Sequence, residues 1–219
     1  MVRAEPRGDR CAVTGSDHHD RQIGDDNPEF PEFLRRLQQI APTVAYPEFG
    51  RYAWKERARG VADALDQGAR VLALEDRYDA RIEEFRREHG DVLENLRVVY
   101  TTSFDDEFSL YTSESYQTTV ISEAGFKFTD RSEALSTRNQ WFPLEQLEIL
   151  NEADVIITNS GKGPIDEVLA GNELFQRVRA VQAGQVYSFD YEGVSSFGWA
   201  LTFLEQFQSI AEQIRSKLA

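Results

Sequence analysis

The stretch that decides the fold is WFPLEQLEILNEADVIIT, residues 141–158. Pro143 suits the first position of a helix, because proline lacks the N–H that has no partner there. Leucines then recur every three residues and line one helical face, at Leu144, Leu147 and Leu150. Val155–Ile157 is an unbroken β-branched run, typical of a strand buried on both faces of a parallel sheet. The stretch therefore predicts a short helix that leads into a central strand.

Segments on both sides extend this α/β pattern. Further strands are predicted at 96–100, 108–111 and 126–128, and a helix is predicted at 116–124, ended by Gly125. Residues 129–140 are predicted to form a polar loop. Later segments predict a helix at 165–169, a short helix, a turn at Gly184, a terminal strand, and an amphipathic closing helix at about 198–217. The predicted fold class is α/β, an open and mainly parallel sheet flanked by helices and preceded by a long helix.

Three helices are predicted before the sheet. The first covers 33–40, and the second covers 53–66 with Leu65 facing inward. The third covers 69–89, after an interruption at Gly68, and His89-Gly90 is predicted to end it. A helix of this length is a rod of about 30 Å.

Composition limits the functional classes. The net charge of −14 disfavours nucleic acid and anionic membranes as partners, since both bind basic patches. A single cysteine, Cys11, excludes an internal disulfide, and no run of 18 apolar residues is present. Residues 1–27 are polar, without the apolar core of a signal peptide, and predict a disordered leader without an export signal. Its Cys11, His18, His19 and Asp20 match no zinc spacing.

Motifs of catalysis are missing from the sequence. Neither a G-x-S-x-G elbow nor an H-E-x-x-H pair occurs, and Gly161-Lys162-Gly163 lacks the rest of a phosphate-binding loop. The remaining histidine, His89, is at a predicted helix end, so acid–base chemistry built on histidine is disfavoured. A nucleotide-using enzyme is disfavoured because no glycine fingerprint is present. The sequence predicts a binding protein, not an enzyme, with no cofactor.

Several segments, in order, carry a resemblance to a known family. They are IAPTV at 40–44, PLEQL at 143–147, ADVII at 153–157 and LFQRVRAVQAGQVYSFD at 174–190. Together they resemble the substrate-binding proteins of iron-siderophore and cobalamin ABC importers, the periplasmic-binding-protein class with a rigid helical spine. The resemblance covers roughly residues 30–219. It implies the C-terminal lobe and the spine helix, with the N-terminal lobe missing.

The resemblance also implies a domain organisation and partners. Residues 1–27 would be the leader, 28–66 a remnant of the first lobe with a connecting helix, 67–90 the spine helix and 91–219 the ligand-binding lobe. The implied ligand is an Fe(III)-siderophore, preferred over haem or cobalamin, with no metal bound directly by the protein. The implied partners are the membrane subunits of an ABC permease, and the implied location is extracytoplasmic, in the periplasm or at the cell surface. The alternative is a truncated lobe that acts as a protein-interaction module or dimerises through the face left by the missing lobe.

Candidate binding residues come from the loops beyond the carboxyl ends of the strands, where ligands bind in open α/β sheets. Aromatic side chains there would contact a siderophore, and an arginine would balance charge. The candidates are Trp141, Tyr111, Tyr116, Arg138, Tyr191 and Trp199. An equally weighted alternative is that Trp141 only packs over the sheet edge. The resemblance assigns Glu145 to docking against permease arginines, whereas the simpler interpretation is a carboxylate that favours the first helical turn.

Overall fold

The computed structural model describes residues 11–12, 30–44, 53–104, 106–137, 139–159, 165–189 and 196–218. Its strands are β1 Cys11–Ala12, β2 Thr43–Val44, β3 Arg97–Phe104, β4 Glu107–Tyr111, β5 Lys127–Phe128, β6 Asn139–Pro143, β7 Val155–Asn159 and β8 Val186–Phe189. Its α-helices are α1 Phe30–Ile40, α2 Ala53–Ala64, α3 Gly68–Leu93, α4 Tyr116–Glu123, α5 Asp130–Glu133, α6 Ile165–Val168, α7 Glu173–Gln176, α8 Arg179–Gln182 and α9 Phe197–Leu218. A 3₁₀ helix covers Leu144–Glu152.

The centre of the molecule is a mixed, mostly parallel sheet. In the described part of the chain, six strands form it, five of them in the order β6-β4-β3-β7-β8, with β5 paired to β3. β3, β5, β7 and β8 are parallel, whereas β4 is antiparallel to β3 and β6. The predicted α/β class with a mainly parallel sheet is confirmed. β1 and β2 form a separate parallel pair.

The two faces of the sheet are covered by different helices. One face packs against α2, α3, α4 and α9 in a core rich in aromatic residues, and we call it the long-helix face. The other packs against the 3₁₀ helix and the short helices α6, α7 and α8, and we call it the short-helix face. Apolar spacing on α9 explains its position, because Ala200, Leu204, Phe207, Ala211 and Ile214 are all fully buried.

Two predicted helix ends are wrong. α3 passes through His89-Gly90 and ends at Leu93. His89 is buried, with its ring 4.8 Å from that of Phe85, so tertiary packing outweighs the cost of about 1 kcal/mol for a glycine inside a helix. Leu65 is 54% exposed instead of inward-facing, because α2 ends at Ala64 and Asp66 turns the chain with a φ of 57°.

Three predictions in the sheet region are corrected by strand pairing. β3 continues past residue 100 to Phe104, because its second half forms a hairpin with β4. The predicted loop at 129–140 contains α5 and the beginning of β6. Pro143 ends β6 and caps the following helix, which is 3₁₀ and not α, instead of occupying its first position.

Candidate ligand-binding face

Three adjacent strands place a set of side chains on one face of the sheet. The register aligns Thr102, Ser109 and Trp141 in one row and Phe104, Glu107 and Pro143 in the next row outward. A third row, inward, has the Tyr100 and Tyr111 rings 4.7 Å apart and Asn139 paired with Tyr111. Alternate residues of a strand point to opposite faces, so the three rows share a face. We call these nine residues the edge grid.

The edge grid belongs to the long-helix face and passes from core to surface along the strands. Tyr100 is fully buried in the aromatic core, and Thr102 is half-buried. At the outer row Phe104 is 46% exposed, and in the middle row Trp141 is 37% exposed. Helices therefore cover the inner row, whereas the outer rows lie beyond the ends of β7 and β8 or level with them.

Hydroxyl and amide groups are interleaved with the aromatic rings of this face. The hydroxyls of Thr102 and Ser109 are 2.7 Å apart in a hydrogen bond. Asn159, at the carboxyl end of β7, donates its Nδ2–H to the Tyr100 hydroxyl at 3.1 Å. Aromatic rings can stack on flat ligand surfaces, and hydroxyls can bind ligand oxygens. This combination suits a bulky, oxygen-rich small molecule.

The turn that follows Tyr111 is held by buried hydroxyls. Thr118 donates to the Thr112 carbonyl oxygen at 2.5 Å, and the Ser115 and Thr118 hydroxyls are 2.7 Å apart. Ser113 donates to a Glu133 carboxylate oxygen at 2.6 Å, which ties this turn to α5. Buried and satisfied polar networks of this kind fix one local geometry. Tyr111 is therefore presented from a rigid turn.

Below the edge grid, α2 is locked into the core by Trp54. Its indole is 2% exposed, and ring centroids of Tyr78, Tyr116 and Phe197 lie 5.5, 5.4 and 4.9 Å away. The predicted ligand residue Tyr116 is thus half-buried, with its ring edge against Trp54.

A largely buried ion pair lies beside this aromatic cluster. Lys55 Nζ is 2.8 Å from Glu123 Oε1, and the Tyr78 hydroxyl donates to Glu123 Oε2 at 2.5 Å. Burial raises the pKa of the Tyr78 phenol well above its ordinary value, and the Glu123 carboxylate raises it further. Lys55 also lies over the Tyr78 ring, 4.8 Å from its centroid. Tyr78 therefore remains a neutral hydrogen-bond donor that joins α3 to α4.

The remaining candidates are dispersed. Trp199 is in the first turn of α9 and is 44% exposed. Glu145 is exposed in the first turn of the 3₁₀ helix, which packs on the short-helix face, opposite to the edge grid. Arg138 and Tyr191 lie outside the described residues. The structure thus brings Tyr111 and Trp141 together and places Glu145 on the other side of the sheet.

Residues of this region that sequence analysis missed include Tyr100, Thr102, Phe104 and Asn159, as well as Glu107, Ser109 and Asn139. Tyr100, Thr102 and Phe104 were predictable, because the run Tyr100–Phe104 keeps the β-branched and aromatic character of a strand. Asn159 directly follows the predicted central strand, at the position where parallel strands present ligand-binding groups.

Within the described ranges, no group of three or more His, Cys, Asp and Glu side chains is arranged to hold a metal ion. None of the helices described is both long and apolar enough to cross a membrane. The chemistry that the described edge grid offers is therefore stacking and hydrogen bonding from aromatic, hydroxyl and amide groups.

The chain thus has a three-layer α/β fold with the edge grid at one end of its sheet. The family model described as "Periplasmic binding protein" matches residues 24–192, well over half of the chain. The chain belongs to this family. A curated relative, the Fe(3+)-citrate-binding protein YfmC of Bacillus subtilis, is 28% identical over 173 residues, which are 74% of this chain and 51% of the relative. The chain thus spans about half the length of that relative.

Solved structures show the same fold. The siderophore periplasmic binding protein from the fuscachelin gene cluster of Thermobifida fusca superposes with a TM-score of 0.71 at 22% identity, covering 84% of this chain and 70% of that chain. The triscatecholate siderophore binding protein FeuA of Bacillus subtilis, complexed with ferri-bacillibactin, gives a TM-score of 0.69 at 18% identity, covering 89% and 70%. At these identities the likeness establishes the fold alone.

Proposed function

We propose that this chain is the C-terminal part of an ABC-transporter substrate-binding protein that binds a ferric siderophore and delivers it to a membrane permease. The observation that carries the proposal is the edge grid, where the exposed Trp141 lies level with the carboxyl ends of the parallel strands, with phenol groups one row further in. Family membership and the iron-binding names of the relatives support the same class of ligand.

A ferric siderophore is a bulky chelate with flat and oxygen-bearing surfaces. Phe104 and Trp141 would supply contact area, and the half-buried Thr102 would supply a hydroxyl partner. Ser109 is fully buried and positions the Thr102 hydroxyl through their hydrogen bond. One lobe covers only part of such a ligand. We therefore propose a division into a first-lobe remnant at 28–66, a spine helix at 67–90, which the structure extends to Leu93, and a ligand-binding lobe at 91–219, with a second lobe closing over the grid. The proposed location is extracytoplasmic.

Tryptophan fluorescence tests the binding step. The chain has three tryptophans, and Trp54 is buried, so an iron chelate on the grid should quench Trp141. Trp141→Ala should weaken binding by roughly 10- to 100-fold, the usual cost of losing a central aromatic contact. Phe33→Ala, at an exposed ring on α1, is the matched control and should leave affinity unchanged.

Outcomes of the titration separate two classes of function. Saturable quenching that depends on Trp141 supports ligand binding on the edge grid. A flat titration with hydroxamate, catecholate and carboxylate chelates would reject it and leave the alternative, a protein-interaction module without transport activity.

Glu145 is proposed to dock the protein to arginines of the permease. Its carboxylate is exposed at the start of the 3₁₀ helix, and exposed ion pairs of this kind set orientation and encounter rate. Glu145→Lys should abolish iron uptake in a full-length transporter while leaving the chelate affinity unchanged. Glu148→Lys, an exposed carboxylate of the same helix, is the control. Uptake that survives Glu145→Lys would remove the docking role.

A further inference from the structure

The edge grid carries a single charge, and that charge is negative. Eight of its nine side chains are aromatic, hydroxyl, amide or proline groups, and the ninth is Glu107. Glu107 is exposed and shares its face with Trp141, one row further out. Asp106, exposed in the turn between β3 and β4, adds a second carboxylate at the same end of the sheet. We call Asp106 and Glu107 the acidic tip.

Cations of the described strands lie at the opposite end of the sheet. They are Arg97 and Lys127, which face each other where β3 pairs with β5. The distance between the two ends is set by the length of β3, which begins at Arg97 and ends at Phe104. Among the described strand residues, none provides a positive charge beside Trp141; the candidate Arg138, which precedes β6, lies outside the described residues.

Cations of the neighbouring α2 are already engaged. Lys55 is paired with Glu123, and Arg59 is paired with Glu75. Arg57 is half-buried and has an interaction of its own. The chain as a whole carries a net charge of −14, so its long-range field also repels anions.

We infer that the siderophore is of the ferric hydroxamate class, with a neutral or positive overall charge, and that the acidic tip contributes to this selectivity. This inference rests on the proposed function. Three hydroxamates together neutralise Fe³⁺, whereas three catecholates leave a trianion and ferric citrate is anionic too. A trianion on the grid would face two carboxylates of like charge, and like-charge juxtaposition is a strong source of rejection. A neutral or cationic complex avoids that repulsion.

The test is a titration of the chain with four ferric complexes, in which tryptophan fluorescence reports binding. The probes are ferrioxamine B as a cation, ferrichrome as a neutral complex, ferri-bacillibactin as a trianion and ferric citrate as a carboxylate complex. We expect the two hydroxamate complexes to bind at least about tenfold more tightly than the other two. Added salt should weaken ferrioxamine B binding and strengthen any ferri-bacillibactin binding, because it screens attraction and repulsion alike.

A double variant locates the selectivity. Asp106→Asn with Glu107→Gln should shift the affinity ratio at least about threefold toward the anionic complexes. Asp76→Asn with Glu83→Gln, two exposed carboxylates of α3, changes the net charge equally and should leave the ratio unchanged. Thermal unfolding checks that both variants fold.

The outcomes distinguish siderophore binding from selectivity for hydroxamates. Binding of ferri-bacillibactin or ferric citrate as tight as that of ferrioxamine B overturns the hydroxamate inference and leaves siderophore binding standing. An equal shift in the α3 control overturns the role of the acidic tip. Failure of all four complexes to bind overturns the proposed function and the inference with it.

Discussion

The two ends of the long-helix face differ in how far helices cover their aromatic rings, although the same strands form both. At the closed end, around Tyr100, aromatic rings from α2, α3, α4 and α9 interlock, and the charged Lys55–Glu123 pair is buried among them. At the open end, around Trp141 and Phe104, no described helix covers the rings fully, and both are more than one-third exposed. The closed end supports stability, and the open end leaves aromatic surface exposed.

The largest expected effect is on stability at the closed end. Trp54→Ala removes a buried indole from three ring contacts and should lower the free energy of unfolding by about 3–5 kcal/mol. Trp141→Ala, the same truncation at the open end, should lower it by less than about 1 kcal/mol. Urea unfolding measures both. Similar losses for the two variants would break the distinction between the ends.

The second-largest expected loss of stability comes from removing one partner of the Lys55–Glu123 ion pair. Lys55→Met leaves Glu123 without its cation and should cost about 3 kcal/mol, the low end for buried pairs, because both side chains keep some exposure. Lys55→Met with Glu123→Leu should cost less than Lys55→Met alone, since the stranded carboxylate is removed. A double-mutant cycle from urea unfolding measures the coupling. Strictly additive losses would mean that the pair does not stabilise the closed end.

The smallest effect concerns the ion pair that joins α2 to α3. Arg59 lowers the pKa of the Glu75 carboxyl below its usual range. A carboxyl with a lowered pKa in the folded state contributes stability above its unfolded pKa of about 4.3 and loses it as the pH falls through the folded value. Wild-type protein should exceed Glu75→Gln in stability by roughly 0.5–1 kcal/mol at pH 7. The difference should shrink as the pH falls below about 4.

Unfolding at a series of pH values measures this dependence. Arg59→Gln removes the same pair from its other side, so its stability difference from the wild type should shrink over the same acidic range. A difference for Glu75→Gln that stays constant into strong acid would contradict the pairing as its source.

Elements with strong local patterns were predictable. The run Val155–Ile157 is a buried central strand, and the apolar positions of α9 face the core as their spacing predicts. Gly125 and Gly184 end their segments with positive φ values of 107° and 64°, as expected for residues without a side chain. In these cases short-range chemistry and tertiary packing favour the same structure.

The features that the sequence did not predict depend on contacts between residues far apart in the chain. β6 is polar and short, and it is a strand only because β4 pairs with it, so local propensity indicated a loop. That pairing also gives Trp141 its row on the edge grid, which no local pattern could assign. Tyr111 and Trp141 were chosen as candidates by residue type and loop position. Their common face follows from strand register, which sequence spacing alone did not fix.

β6 is the last strand of the sheet on its side, hydrogen-bonded to β4 alone in the described part of the chain. Strands paired on one side separate from their neighbours at a lower free-energy cost than central strands, so amide hydrogen exchange should be faster along β6 than along β3. Trp141 lies on this edge strand, whereas Tyr100 lies on β3, a central strand of the sheet. The indole can therefore shift with a small displacement of one sheet edge, while the packing that holds the long helices stays in place.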